Sequence, residues 1–175
     1  METKIKEFWD KFATEHHLEN VLEPEAWSFG TDADGLAQLV QQGIKTATTS
    51  GFELYAFDDD PLPKVGEYNI ILNSKDEPVC VTQTKVVEVI PFKYISEEHA
   101  YHEGEGDRSY DYWHQVHVDF FTAEYASYNA TFTPESKCVC EVFELAKSQL
   151  GFRIVPSLLK LGGNPWNLEQ VMMCD

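Results

Sequence analysis

The period of the apolar residues changes at Gly66, and that change restricts the chain to folds that combine helices with antiparallel strands. Upstream, Ile5, Phe8, Trp9 and Phe12 recur at the spacing of one helical face, which predicts a helix ending near His16-His17. A linker carrying Pro24 runs from Glu19 to Trp27. Thr31 or Asp32 then caps a second helix through Gln42. Gly43 stops it, because glycine adopts the left-handed conformation beyond a helix end without strain. Downstream of Gly66, Tyr68, Ile70 and Leu72 alternate with Glu67, Asn69 and Ile71. The loop Ser74–Pro78 leads into a strand-like run, Val79–Ile90, and the two make a hairpin. Ser96 opens a short helix, and a flexible acidic loop, Gly104–Gly106, follows it. Ser109 opens a longer helix to about Tyr125, whose expected packing residues are Tyr112, Trp113, Val116, Phe120 and Phe121. Lys137–Leu145 is a closing strand rich in β-branched and aromatic residues. This order of elements predicts an α+β domain.

Charge narrows the function. Thirteen basic residues against 30 acidic ones give a formal net charge of −17 in 175 residues. Long nucleic acids are held by lysines and arginines that displace phosphate counterions, so this balance argues against sequence-independent binding to them. A small neutral ligand, or a short segment in a local basic pocket, stays compatible. No apolar run is long enough to span a membrane, and Met1–Lys6 lacks the apolar core of a signal peptide. The expectation is a cytoplasmic protein without a membrane partner. Cys80, Cys138, Cys140 and Cys174 form no C-x-x-C pair. They read as buried thiols in a reducing compartment rather than zinc ligands, with Cys138 and Cys140 on one face of a strand.

The chemistry-bearing stretch is Gly43–Ser50, where Lys45 stands among Thr46, Thr48 and Thr49. Two readings are open. Lysine beside threonines is commonly a solvated helix exit. The same cluster can bind an anion or a carbonyl oxygen, and a desolvated lysine that loses its proton can act as a base toward a hydroxyl. His99/His102 and His114/His117 are spaced for one helical face, but no metal helix pattern accompanies them and solvated imidazoles are the plainer reading. Neither metal nor cofactor is called for.

Around that stretch stand Trp27-Ser28-Phe29-Gly30, then Leu62–Tyr68, Glu103–Ser109 and Tyr112-Trp113. In this order and spacing, from about Phe8 to Leu145, the set resembles the ASCH domain family (activating signal cointegrator homology) of the PUA-like superfamily, in its longer bacterial-type branch. The resemblance implies a small mixed β-barrel with flanking helices over residues 1–147, and a cleft for a nucleobase or modified nucleoside. One branch of the family hydrolyses N4-acetylcytidine with a lysine, a threonine three residues on and a distant glutamate. Those positions fall on Lys45, Thr48 and Glu103. There, deprotonated Lys45 would take the Thr48 proton, the alkoxide would attack the acetyl carbonyl, and Glu103 would manage protons at the leaving amine.

The longer branch adds Asp107, Arg108 and Trp113 as ligand-binding candidates beside Thr46 and Thr49, with Tyr55 as a wall of the cleft. A guanidinium can fork onto an anion and an indole can stack on a base, while an Asp–Arg or Arg–Glu pair pinning the loop is the structural alternative. This chain is longer than the amidohydrolase branch and carries the Gly104–Asp107 loop and a long aromatic helix, so its substrate can differ. A non-catalytic module binding a short single-stranded RNA, or a ribonuclease, remains the alternative function. Residues 148–175 are apolar and depart from the family pattern. They pack on their own domain or join a second chain into an oligomer, or they reflect an altered reading frame.

Overall fold

Strands β4 (Pro78–Pro91) and β5 (Lys137–Ser148) form the spine of the molecule, paired antiparallel from Cys80 opposite Ser148 to Pro91 opposite Lys137. The structure is a computed structural model describing residues 3–18, 21 and 23–148. Register shifts at Val81/Thr82 and Thr84/Val86 bend the ribbon, as extra residues on one strand do. Strand β3 (Tyr68–Leu72) lies antiparallel on β4. Strand β1 (Glu25–Trp27) lies parallel on β3, and β2 (Ala47–Gly51) lies antiparallel on β5. The order β1-β3-β4-β5-β2 makes a five-stranded sheet that curls into a half-barrel, open between edge strands β1 and β2. The α+β class matches the sequence reading, and the barrel is open on one side.

Among the described residues five α-helices flank the sheet: α1 (Thr3–Glu15), α2 (Ala33–Gln41), α3 (Phe52–Phe57), α4 (Glu97–Glu103) and α5 (Tyr110–Ser127). Their starts are written locally. Asp32, Ser96 and Ser109 each accept a hydrogen bond from a backbone N–H of the first turn, and Gly43 has a φ of 68° just beyond α2. Helix α1 places Ile5, Trp9 and Phe12 against Ile70, Leu72 and Val81. On the other sheet face, Ala37 and Val40 of α2 pack with Phe29, Ile71, Cys80 and Phe143. Helix α5 buries Trp113, Phe121 and Tyr125 against Cys138 and Cys140, whose thiols share that face.

Several expectations need correction. The alternation of β3 fails because both faces of the sheet are covered, so Ile71 is as buried as Ile70. Tyr112 is exposed; the inward residues of α5 are Trp113, His117, Phe121 and Tyr125, one turn apart. The linker ending at Trp27 contains β1, and the Gly43–Ser50 stretch, to which no strand was assigned, runs into β2. Glu105, in the loop expected to be flexible, is tied to Lys45. The apolar extension beyond Ser148, with Cys174, lies outside the described residues. Among the described residues no helix is long and apolar enough to cross a membrane.

Candidate functional site

Lys45 and Glu103, 58 positions apart, are brought together where the chain leaving α2 meets the end of α4. The Thr46 N–H donates to the His102 carbonyl at 2.8 Å, joining the two segments. Gly104, with a φ of 75°, lies so close that a Cβ there would stand 2.7 Å from the Ile44 carbonyl oxygen. Only glycine suits both demands.

The Lys45 ammonium donates to Glu103 Oε2 at 2.8 Å and to Glu105 Oε1 at 2.9 Å, over the Phe29 ring at 5.2 Å. Lys45 and Glu103 are each 1% exposed. The second oxygen, Glu103 Oε1, accepts from Thr49 Oγ1 at 2.6 Å and from the Trp113 indole at 2.9 Å. His117 Nε2 and His99 Nε2 stand 3.4 and 3.6 Å from the same oxygen. His99 Nε2 is also 3.0 Å from Thr49 Oγ1; since that hydroxyl gives its proton to Glu103, the imidazole is the donor. His117 Nδ1 donates to the Trp113 carbonyl at 2.9 Å.

This packing sets the charges. Burial draws the Lys45 amine down, but Glu103 and Glu105 outweigh it, and its pKa lies above the ordinary lysine value. Burial pushes Glu103 up, yet the Lys45 charge and the bonds from His117 and His99 bring it well below the usual carboxylate range. The pair is therefore an ammonium and a carboxylate. The neutral amine expected for a lysine base does not describe the resting site; a proton must first leave Lys45.

The pair borders a cavity of about 1010 Å³ at the open side of the half-barrel, between edge strands β1 and β2. Its walls include Trp27, Phe29, Tyr55, Phe120 and Tyr128. The lining side chains carry nine carboxylates against two lysines, one of them Lys45. Thr48 and Thr49 both line it, as does Tyr55, whose hydroxyl meets Ser50 at 2.8 Å. Thr48 lies opposite Glu141 in the β2–β5 register, while the side-chain bonds of Lys45 and Glu103 go to other groups. Thr46, Asp107, Arg108 and Trp113 are not among the lining residues. Thr46 Oγ1 meets His102 Nδ1 at 3.1 Å. Asp107 accepts the Ser109 N–H, and Arg108 sits over the Tyr101 ring at 5.1 Å. The Trp113 ring is stacked between core aromatics, which leaves its indole N–H as its polar contribution.

Each H-x-x-H pair is divided by its surroundings. His99 and His117 turn to Glu103, His102 turns to Thr46, and His114 packs on Phe92 and Tyr110. Among the described residues no group of three His, Cys, Asp or Glu side chains is arranged to hold a metal ion. The three described cysteines are buried free thiols, with Cys80 pushed by burial to about 12.

The sequence reading missed Glu105, Glu141 and the two imidazoles at Glu103. Glu141 interrupts an otherwise apolar strand stretch, Cys138–Phe143, and that interruption was the available signal.

Burial pushes Glu141 up to about 6, helped by Glu67 and Glu25 and opposed by the Thr84 hydroxyl. Thr84 Oγ1 donates to Glu141 Oε2 at 3.3 Å and receives Asn69 Nδ2 at 3.3 Å. Asn69 Oδ1 in turn accepts from the Trp27 indole at 3.2 Å. A polar row thus crosses four strands from Trp27 to Glu141.

Among solved structures, the chain is similar to an ASCH domain from Lactobacillus crispatus JV V101, with 26% identity, a TM-score of 0.79, and 83% of this chain and 96% of that chain covered. It is also similar to protein EF3133 from Enterococcus faecalis V583, with 36% identity, a TM-score of 0.76, and 84% and 92% of the two chains covered. A search of curated protein sequences found no match. The family model for the ASCH domain matches residues 25–147, which takes in β1 to β4, all but the last residue of β5, and the Lys45–Glu103 pair, and the chain belongs to the ASCH domain family, with its PUA-like fold.

Proposed function

We propose that the cavity receives a nucleobase or modified nucleoside and that the protein hydrolyses the amide of an N4-acylated cytidine. The observation that carries this reading is the buried Lys45–Glu103 pair on the wall of an aromatic cavity that Thr48 also lines. The volume admits a molecule of nucleoside size with room to spare. The excess of carboxylates over lysines disfavours a phosphate backbone, and Lys45, already holding two carboxylates, has little left for an anion. Both features weigh for a free nucleoside over an RNA strand or a ribonuclease substrate.

In this reading the Lys45 proton first passes along the 2.8 Å contact to Glu103. The neutral amine then takes the Thr48 proton as the oxygen bonds to the acyl carbon. Glu103 returns its proton to the departing N4 amine, and the carbon–nitrogen bond breaks. Water then releases the acid from Thr48.

The test is to incubate the purified protein with N4-acetylcytidine and with short single-stranded RNAs and to separate the products. Cytidine and acetate are the expected products, and they should vanish in Thr48→Val. Lys45→Arg should not restore turnover, since arginine does not surrender its proton. Binding without cleavage would reduce the reading to nucleoside recognition. RNA cleavage in place of deacylation would replace it.

A further inference from the structure

We propose that Glu141 is the recognition group of the cavity and that it reads an amidine-type edge, a planar ring presenting an amino group beside a ring nitrogen. The proposal deepens the nucleoside reading above and rests on it, because it names the edge of the base that the site selects.

Glu141 is 9% exposed and lines the cavity floor. Its Oε2 accepts one bond, from Thr84, and Thr84 is oriented to donate because it already receives Asn69. The row from Trp27 through Asn69 and Thr84 therefore fixes the carboxyl in one direction. Its Oε1 has no partner among the described residues. No lysine, arginine or histidine there pairs with it, although buried carboxyls are ordinarily matched by a cation. The titratable groups that face it are Glu25 of β1, Glu67 just before β3 and Tyr55 of α3; none can supply a positive charge. A site this acidic and this aromatic is complete only with a flat ligand that brings donors. A carboxyl meets such an edge through two parallel hydrogen bonds, one to the amino group and one to the ring nitrogen. One proton is shared between Glu141 and that nitrogen, whichever carries it. Uracil-type edges pair with Glu141 only through its neutral form, by a ring N–H and a weakly basic carbonyl that cannot take its proton, so they lack the charge-assisted bonds and bind more weakly.

Titration calorimetry on the full chain with cytidine, uridine and benzamidine tests this. Cytidine should bind about tenfold or more tightly than uridine. Its affinity should fall between pH 6 and pH 8, as the shared proton is lost. Benzamidine carries its own charge, so it should bind more tightly from pH 5 to pH 7, as Glu141 ionises. Glu141→Leu should abolish both preferences. Glu141→Gln should keep cytidine, because an amide offers one donor and one acceptor, but lose benzamidine and the pH dependence. Equal binding of cytidine and uridine by the parent overturns the role of Glu141 and leaves nucleoside recognition standing. So does a cytidine preference retained in Glu141→Leu. Binding of benzamidine alone, lost in Glu141→Leu, overturns the nucleoside reading and keeps the edge reader. If the parent binds none of the three, both fall. The parent's own selectivity and pH profile decide the matter even if a variant does not fold.

Discussion

Thr49 donates its hydroxyl to Glu103 Oε1 at 2.6 Å, which turns the other carboxylate oxygen squarely onto Lys45. The neighbouring Thr48 belongs to the opposite set of side chains on β2, in register with Glu141. Two adjacent threonines therefore have different surroundings. Thr49 orients a buried ion pair, while Thr48 lines the cavity and has no side-chain hydrogen bond to any of the described residues.

Removing the cation should expose what that arrangement holds in place. Lys45→Met leaves the buried Glu103 and the half-buried Glu105 without their counter-charge, and breaking a buried pair such as Lys45–Glu103 costs about 3–5 kcal/mol. Urea unfolding at pH 7 should show the loss. The double variant Lys45→Met/Glu103→Gln should recover part of it, and failure to recover any would mean the loss is not electrostatic.

Acid should act through Glu103. Its folded pKa lies below the ordinary 4.5, so the stability it contributes is complete above that value and disappears as the pH falls through the folded one. Glu103→Gln should therefore flatten the acid limb of a stability–pH curve below about pH 4.5. Lys45 acts at the other end. Its raised pKa keeps its contribution whole below the ordinary 10.5, to be lost only at higher pH, so neutral conditions leave the pair intact.

Glu141 should show the reverse behaviour. Its folded pKa is pushed from 4.5 to about 6, so the folded state is penalised increasingly between those values and by a constant amount above them. At about 1.4 kcal/mol per pKa unit, Glu141→Gln should stabilise the protein by about 2 kcal/mol at pH 7–8 and by almost nothing near pH 4. Chemical denaturation at the two pH values checks this. A loss of stability at pH 8 would show that the polar row matters more than the buried charge.

Gly104→Ala tests the joint between α4 and the chain before β2. The added Cβ would meet the Ile44 carbonyl oxygen at 2.7 Å in a conformation with positive φ, for an expected loss of about 1–3 kcal/mol in urea unfolding. A neutral substitution would mean that the two segments separate easily.

Helices with their own caps were readable from the sequence. Asp32, Ser96 and Ser109 sit just ahead of α2, α4 and α5, because capping is a contact over three residues. Strand β2 was not readable: Ala47–Gly51 is threonine-rich and short, and its partners at Cys138–Val142 lie about 90 positions away. The alternation expected of β3 broke down because helices cover both sheet faces, a property of the assembled layers rather than of the strand. At the site, Lys45, Thr48 and Glu103 were named through the family pattern, and the structure pairs Lys45 with Glu103. Glu105 and Glu141 were not, because a glutamate's worth here depends on which lysine it meets or lacks, and that is fixed only by tertiary packing.

The open side of the half-barrel makes the molecule its own reporter. The cavity draws on β1, β2 and β5, strands that meet only when the whole sheet is assembled. An unfolded chain has no such site, so anything that occupies it raises the unfolding free energy by mass action, about 2.7 kcal/mol at a hundredfold excess over the dissociation constant. A collection of nucleosides and amidines can accordingly be ranked by melting temperature alone, without knowing which of them the protein transforms.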